Sequence, residues 1–241
     1  MTSIYTAQKA LNLRAAELSS SWKTALALRL RHLFWLKFAG VTVVTSAFMA
    51  GYFYVLRNPW SIPTKMPLTA LDAAIPLQPP MMLAYLSLWL YVGVAPGLEL
   101  RLRDLLAYAA WMSTMCLCGL LIFLLWPTQA PLPIPTGVDF IGFALVKGID
   151  TPANACPSMH VAAAVFAAIR IHDTLQRLRT PAWLPAVNAL WCACILYSTL
   201  AVKQHVVLDI LGGAMLAMTF ASLSLNWRPR PARNTTDGPT S

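Results

Sequence analysis

The run "LFWLKFAGVTVVTSAFMAGYFYVL" (33–56) decides what kind of fold this chain takes. It holds 24 residues with one charge, Lys37, near its start. About 20 apolar residues suffice for a helix to cross the hydrocarbon of a bilayer. The same reading applies to "MMLAYLSLWLYVGVAPGLEL" (81–100), "LLAYAAWMSTMCLCGLLIFLLW" (105–126), "WLPAVNALWCACILYSTLAV" (183–202) and "HVVLDILGGAMLAMTFASLSLNW" (205–227). A shorter run at about 158–172, closed early by Arg170 and His172, makes six. The expected fold is therefore all-α, an integral membrane six-helix bundle with proline-rich outer loops. Its expected parts are a cytoplasmic amphipathic segment (1–32), the six-span domain (33–227) and a disordered cytoplasmic tail (228–241).

Composition agrees. The chain is 58% hydrophobic and 11% charged, whereas a soluble domain carries about 25% charged residues. A net charge of +9 in a soluble protein would suggest nucleic acid. Here the basic residues fall between apolar blocks, and no basic-aromatic stripe on a polar face supports that reading. Lys9, Arg14, Lys23, Arg29, Arg31, Arg101, Arg103, Arg170, Arg177, Arg179, Arg228, Arg230 and Arg233 fall to one side of the six spans. Only Arg57, Lys65, Lys147 and Lys203 fall to the other. The bias predicts that both termini are cytoplasmic and that the long connections 57–80 and 127–157 face outward. The stretch 7–35 mixes basic residues with leucines at helical spacing, which suits an interfacial helix. Lys65, Asp72, Asp139 and Asp150 read as solvated loop charges. Of five cysteines, four lie inside apolar runs as small hydrophobes, and Cys156 adjoins a motif.

Two motifs place ionisable groups at outward helix ends. In "STLAVKQHVVLD" (198–209), His205 and Asp209 are four residues apart and share one helix face. A carboxylate one turn along can hold one imidazole nitrogen and aim the other outward, as in a catalytic triad. The bland alternative is a packed His–Asp pair at a helix end. In "CPSMH" (156–160), Pro157 suits a first helical turn, and the amides of 158–160 would then form an anion site backed by the helix dipole. Ser158 adds a hydroxyl, and His160 stands beside the site as a proton donor. A histidine at a helix start can equally be a satisfied cap. Together the motifs suit a phosphoryl group, with Lys203 as the neighbouring cation. Zinc on His160, His205 and Asp209 is disfavoured by the lysine beside it. No metal or other cofactor is expected.

The "PSMH" segment and the spacing from Ser198 to His205 and Asp209 resemble the second and third motifs of the type 2 phosphatidic acid phosphatase superfamily. The resemblance covers about residues 33–227. It implies a metal-independent enzyme with a phosphohistidine intermediate: His205 the nucleophile, Asp209 its orienting partner, His160 the leaving-group acid, and Ser158 a phosphate ligand. The third-motif arginine is Thr199 here, and the first motif is not recognisable near "WPTQAPLP" (126–133). Lys203 must then carry more of the phosphate binding, with Pro157 shaping the cradle. "KQH" is similar to the branch that includes inositol-phosphorylceramide synthases, where an alcohol resolves the intermediate.

The expected activity is hydrolysis of a membrane lipid phosphate or pyrophosphate on the outer face of a bacterial inner (plasma) membrane. The alternatives are head-group transfer to a lipid alcohol, and a non-catalytic lipid-binding or transport protein. The expected partners are lipids, not nucleic acid.

Overall fold

A computed structural model describes residues 21–131 and 154–227. Most of the first 32 residues, the 228–241 tail and much of the 127–157 connection, with Asp139, Lys147 and Asp150, lie outside the described residues. The described chain is mostly helical. Its order is α1 (Trp22–Arg31), α2 (Phe34–Arg57), β1 (Thr64–Lys65), α3 (Ala70–Ala74), a 3₁₀ turn (Pro79–Met81), α4 (Met82–Leu86), α5 (Leu88–Gly97), α6 (Leu102–Leu125), β2 (Thr128–Gln129), α7 (Met159–Arg177), α8 (Trp183–Ala201) and α9 (Val207–Asn226).

Among the described residues, five helical segments are long and apolar enough to cross a membrane: Phe34–Arg57, Pro79–Gly97, Leu102–Leu125, Trp183–Ala201 and Val207–Asn226. Their large side chains face outward: Trp35, Val43, Leu90, Leu117, Leu190 and Met215 are all exposed. Outward apolar residues are what a lipid solvent demands of a bundle.

The helix expected to close at Arg170 instead continues to Arg177 and is not among those five. It is the centre of the bundle, packing against α5, α6, α8 and α9. Two features let it sit there. Ala162, Ala164 and Ala167 are fully buried, and small residues let helix backbones approach closely. Arg170, buried in its second half, donates to Glu99 Oε1 over 2.6 Å and to Ser224 Oγ over 2.7 Å. The paired guanidinium remains inside the protein, so the charge does not end the helix. Lys37 is likewise buried, its ammonium donating to Arg29 O (2.6 Å) and Gly97 O (2.8 Å). Those two bonds tie α1, α2 and the end of α5 together, at the end of the bundle away from the motifs.

At the motif end the connections are clipped to one another. β1 pairs with β2 in parallel, Thr64 opposite Thr128, and Thr128 also bridges to Asn154. The Thr128 hydroxyl accepts the Cys156 amide (2.7 Å) and donates to the Cys156 carbonyl (3.2 Å). Gln78 ties the first connection to α8, its amide donating to Ala201 O over 2.8 Å. These contacts set the height at which each motif enters the bundle.

Candidate active site

Ser158 is the N-cap of α7, and its hydroxyl accepts the Val161 amide over 3.3 Å. Pro157 therefore precedes the cap and is not in the first helical turn. The Ser158 amide, expected to face a ligand, donates instead to the backbone carbonyl of Asp209 over 2.9 Å. Met159 and His160 remain as first-turn donors with no acceptor within their own helix. The Ser158–Asp209 bond joins the two motifs directly. It is possible because α9 carries Gly213 one turn beyond Asp209: a Cβ there would lie 2.3 Å from Ser158 O and 3.2 Å from Val161 Cβ. Glycine at this position is a condition of the close approach. The "GG" at 212–213 was the sequence signal for it, and motif spacing alone does not reveal it.

His205 lies on a short turn between α8 and α9. Thr199, at the position of the missing arginine, is fully buried. Its carbonyl accepts the amides of Gln204 (3.1 Å) and His205 (3.2 Å). Asp209 is also fully buried. Its Oδ2 accepts the Val206 amide over 3.0 Å and lies 3.4 Å from His205 Nδ1. Among the described residues, neither His205 Nδ1 nor Asp209 Oδ1 has a hydrogen-bond partner, though both are buried. At 3.4 Å the contact is longer than a formed hydrogen bond. With Nδ1 turned to Asp209, Nε2 is the nitrogen left for chemistry.

His160 stacks on Tyr85, ring centroids 3.9 Å apart and planes 13° from parallel. Its Nε2 lies 2.9 Å from the Tyr85 carbonyl. A carbonyl only accepts, so Nε2 carries the proton and Nδ1 is the variable nitrogen. His205 is near enough to interact electrostatically with His160. Tyr85 comes from α4, far upstream of both motifs, and no motif pointed to it.

Lys203, in the left-handed region at φ 58°, donates its ammonium to Asp72 O over 3.0 Å and to Ile75 O. Two of its three N–H groups are thus spent on the first connection. Asp72 is not a solvated loop charge: it is 5% exposed. Its Oδ2 accepts from the Thr69 amide and hydroxyl, both at 2.8 Å, and its Oδ1 accepts the Val207 amide over 2.9 Å. Burial opposes ionisation, but these donors and the Lys203 charge outweigh it and hold the carboxyl below the usual aspartate range. Cys156 is chemically quiet. Burial first, then the Asp209 charge, push its thiol up to about 11, so it is protonated near neutral pH.

Residues 105–233 match the PAP2 superfamily. The chain belongs to that superfamily. Its members are generally phosphoesterases or phosphotransferases, so phosphatase- or phosphotransferase-type activity follows for this chain. No curated protein and no solved structure matches the chain. The PAP2 match takes in α6 to α9 and both motifs, whereas α3 and α4, which supply Asp72 and Tyr85, lie before it.

Proposed function

We propose that this PAP2 protein is a lipid phosphate phosphatase acting through a phosphohistidine. The observation that carries the reading is the Ser158–Asp209 backbone bond of 2.9 Å. It brings a helix N-terminus with open amides and the His205–Asp209 pair to one place. His205 Nε2 attacks phosphorus; the N–P bond forms as the P–O bond to the lipid alkoxide breaks. Asp209 stabilises the charge that develops on the ring. His160 Nδ1 takes up the proton of the bound phosphate monoanion and passes it to the alkoxide, while Nε2–H stays on the Tyr85 carbonyl. Neutral Nδ1 then takes a proton from water, which attacks phosphorus and releases His205.

The Met159 and His160 amides, with the α7 dipole and the Ser158 cap, hold the phosphoryl oxygens. Pro157 sets the direction from which the chain enters that cap. Lys203 adds its field and one remaining N–H. The apolar outer surface of the helices supports a substrate presented from the bilayer, and the basic bias supports an outward-facing site in a plasma membrane crossed six times. Lipid head-group transfer is the second reading, favoured by "KQH" and Thr199 in the third motif; there an alcohol takes the place of water.

The test is a turnover panel of phosphatidate, polyprenyl pyrophosphate and a phosphoinositol lipid, on protein in detergent. Free phosphate supports hydrolysis, and a new diester supports transfer. His205→Ala should lower kcat by at least ~10³-fold and abolish acid-labile phosphate trapped on the protein. Turnover that survives His205→Ala rules the mechanism out.

A further inference from the structure

The segment that presents His205 is held from outside the PAP2-matched region. α9 starts at Val207, so the amides of 206 and 207 open its first turn and need acceptors. Asp209 Oδ2 takes the first at 3.0 Å, and Asp72 Oδ1 takes the second at 2.9 Å. On the other side of His205, Lys203 grips the carbonyls of Asp72 and Ile75. One residue on each side of the proposed nucleophile, Lys203 and Val207, is thus anchored to α3 or to its C-cap Ile75. That helix, α3, is capped locally. Thr69 and Asp72 form a capping box, the Thr69 hydroxyl meeting the Asp72 amide while the Asp72 carboxylate takes the Thr69 amide. Asp72 serves both purposes at once, one oxygen closing the box and the other reaching α9.

We propose that Asp72 is a positioning residue for the reaction: it holds the 203–207 turn so that His205 Nε2 stays aligned with the phosphoryl group. The proposal rests on His205 being the nucleophile. It gives the first connection, which the superfamily match does not cover, a share in the chemistry. A displacement of the ring by about 1 Å is enough to lower a rate by roughly 10²-fold. Among the described residues the Asp72 carboxylate bonds to Thr69 and Val207 and to neither histidine, so it acts through the alignment of the 203–207 turn.

The test uses the full chain in detergent, with dioleoyl phosphatidate in mixed micelles and hydrogen–deuterium exchange read peptide by peptide. Asp72→Ala should lower kcat by roughly 10²-fold with KM within about twofold of the parent. The peptide covering 203–209 should exchange at least about tenfold faster, while the β2 peptide is unchanged. Thr69→Val removes the hydroxyl that caps α3 and braces Asp72 Oδ2; it should loosen 69–75 and lower kcat in the same direction as Asp72→Ala, but by less. Parent kcat in Asp72→Ala, a pure KM effect, or unchanged exchange at 203–209 overturns the proposal. If Asp72→Ala does not fold, Asp72→Ser, too short to reach Val207, decides with the same outcomes. A parent protein inactive on every lipid phosphate would instead sink the phosphatase reading, and the exchange experiment would still decide the Asp72 contact.

Discussion

The backbone amide of Ser158 donates to the backbone carbonyl of Asp209 over 2.9 Å. This bond joins the start of one helix to the first turn of another; His160 lies in the first turn of α7, and His205 lies two residues before α9 begins. Because both groups are main-chain, no substitution other than proline at Ser158 deletes either partner. Its geometry depends on how closely α7 and α9 approach.

That approach is set at Gly213, where a Cβ would meet Ser158 O at 2.3 Å. Gly213→Ala should push the helices apart, cost about 1–3 kcal/mol of stability and lower turnover at least tenfold. Thermal unfolding in detergent alongside a phosphatase assay checks both. Parent-like stability with parent-like turnover would show that the contact yields without consequence.

Asp209 Oδ2 makes two contacts, lying 3.4 Å from His205 Nδ1 and accepting the Val206 amide, and the proposed mechanism gives the first an orienting role. Asp209→Asn keeps the shape and can still accept the amide, but it presents an uncharged group to the ring. The expected loss is about 10³- to 10⁴-fold in kcat with little change in melting temperature. Equal losses of both would assign Asp209 to folding alone.

The stacked Tyr85–His160 pair predicts a dependence on the leaving group. Tyr85→Phe keeps ring and carbonyl and should resemble the parent. Tyr85→Ala frees the His160 ring and should slow turnover of alkyl phosphates by roughly 10²-fold, the usual range of general acid catalysis. An aryl phosphate, whose leaving group needs no proton, should be much less affected. A comparable loss on both substrates would show that His160 is not the acid.

Asp72 gives a pH dependence with a definite sign. Burial raises its carboxyl and the Thr69, Val207 and Lys203 contacts lower it further, leaving it below the ordinary 3.8. A lowered folded-state value contributes stability above the ordinary range and loses it as pH falls through the folded value. The melting-temperature advantage of the parent over Asp72→Asn should thus be constant above about pH 5 and shrink below about pH 4. An advantage that grows toward acid would reverse the assignment.

The membrane character of the chain and the spacing of its motif residues were legible in the sequence, because both are local. Apolar runs of helical length declare their solvent, and a histidine and an aspartate four residues apart share a face whatever surrounds them. Arg170 shows where locality stops. Read along the chain, it ends an apolar run; in the folded bundle, Glu99 and Ser224 satisfy it and the helix continues. Asp72 shows the same from the other direction. It is a loop charge by its neighbours, but its oxygen accepts an amide 135 positions later in the chain. Lys203 reads as a free cation by its neighbours, and only the fold shows that its ammonium meets the carbonyls of Asp72 and Ile75. Sequence alone determined which residues could ionise, their spacing within each helix and the lipid solvent around them. Only the tertiary structure decided which of those groups meet, because a hydrogen bond between distant segments forms where helix packing brings donor and acceptor within about 3 Å, and no short-range pattern encodes that distance.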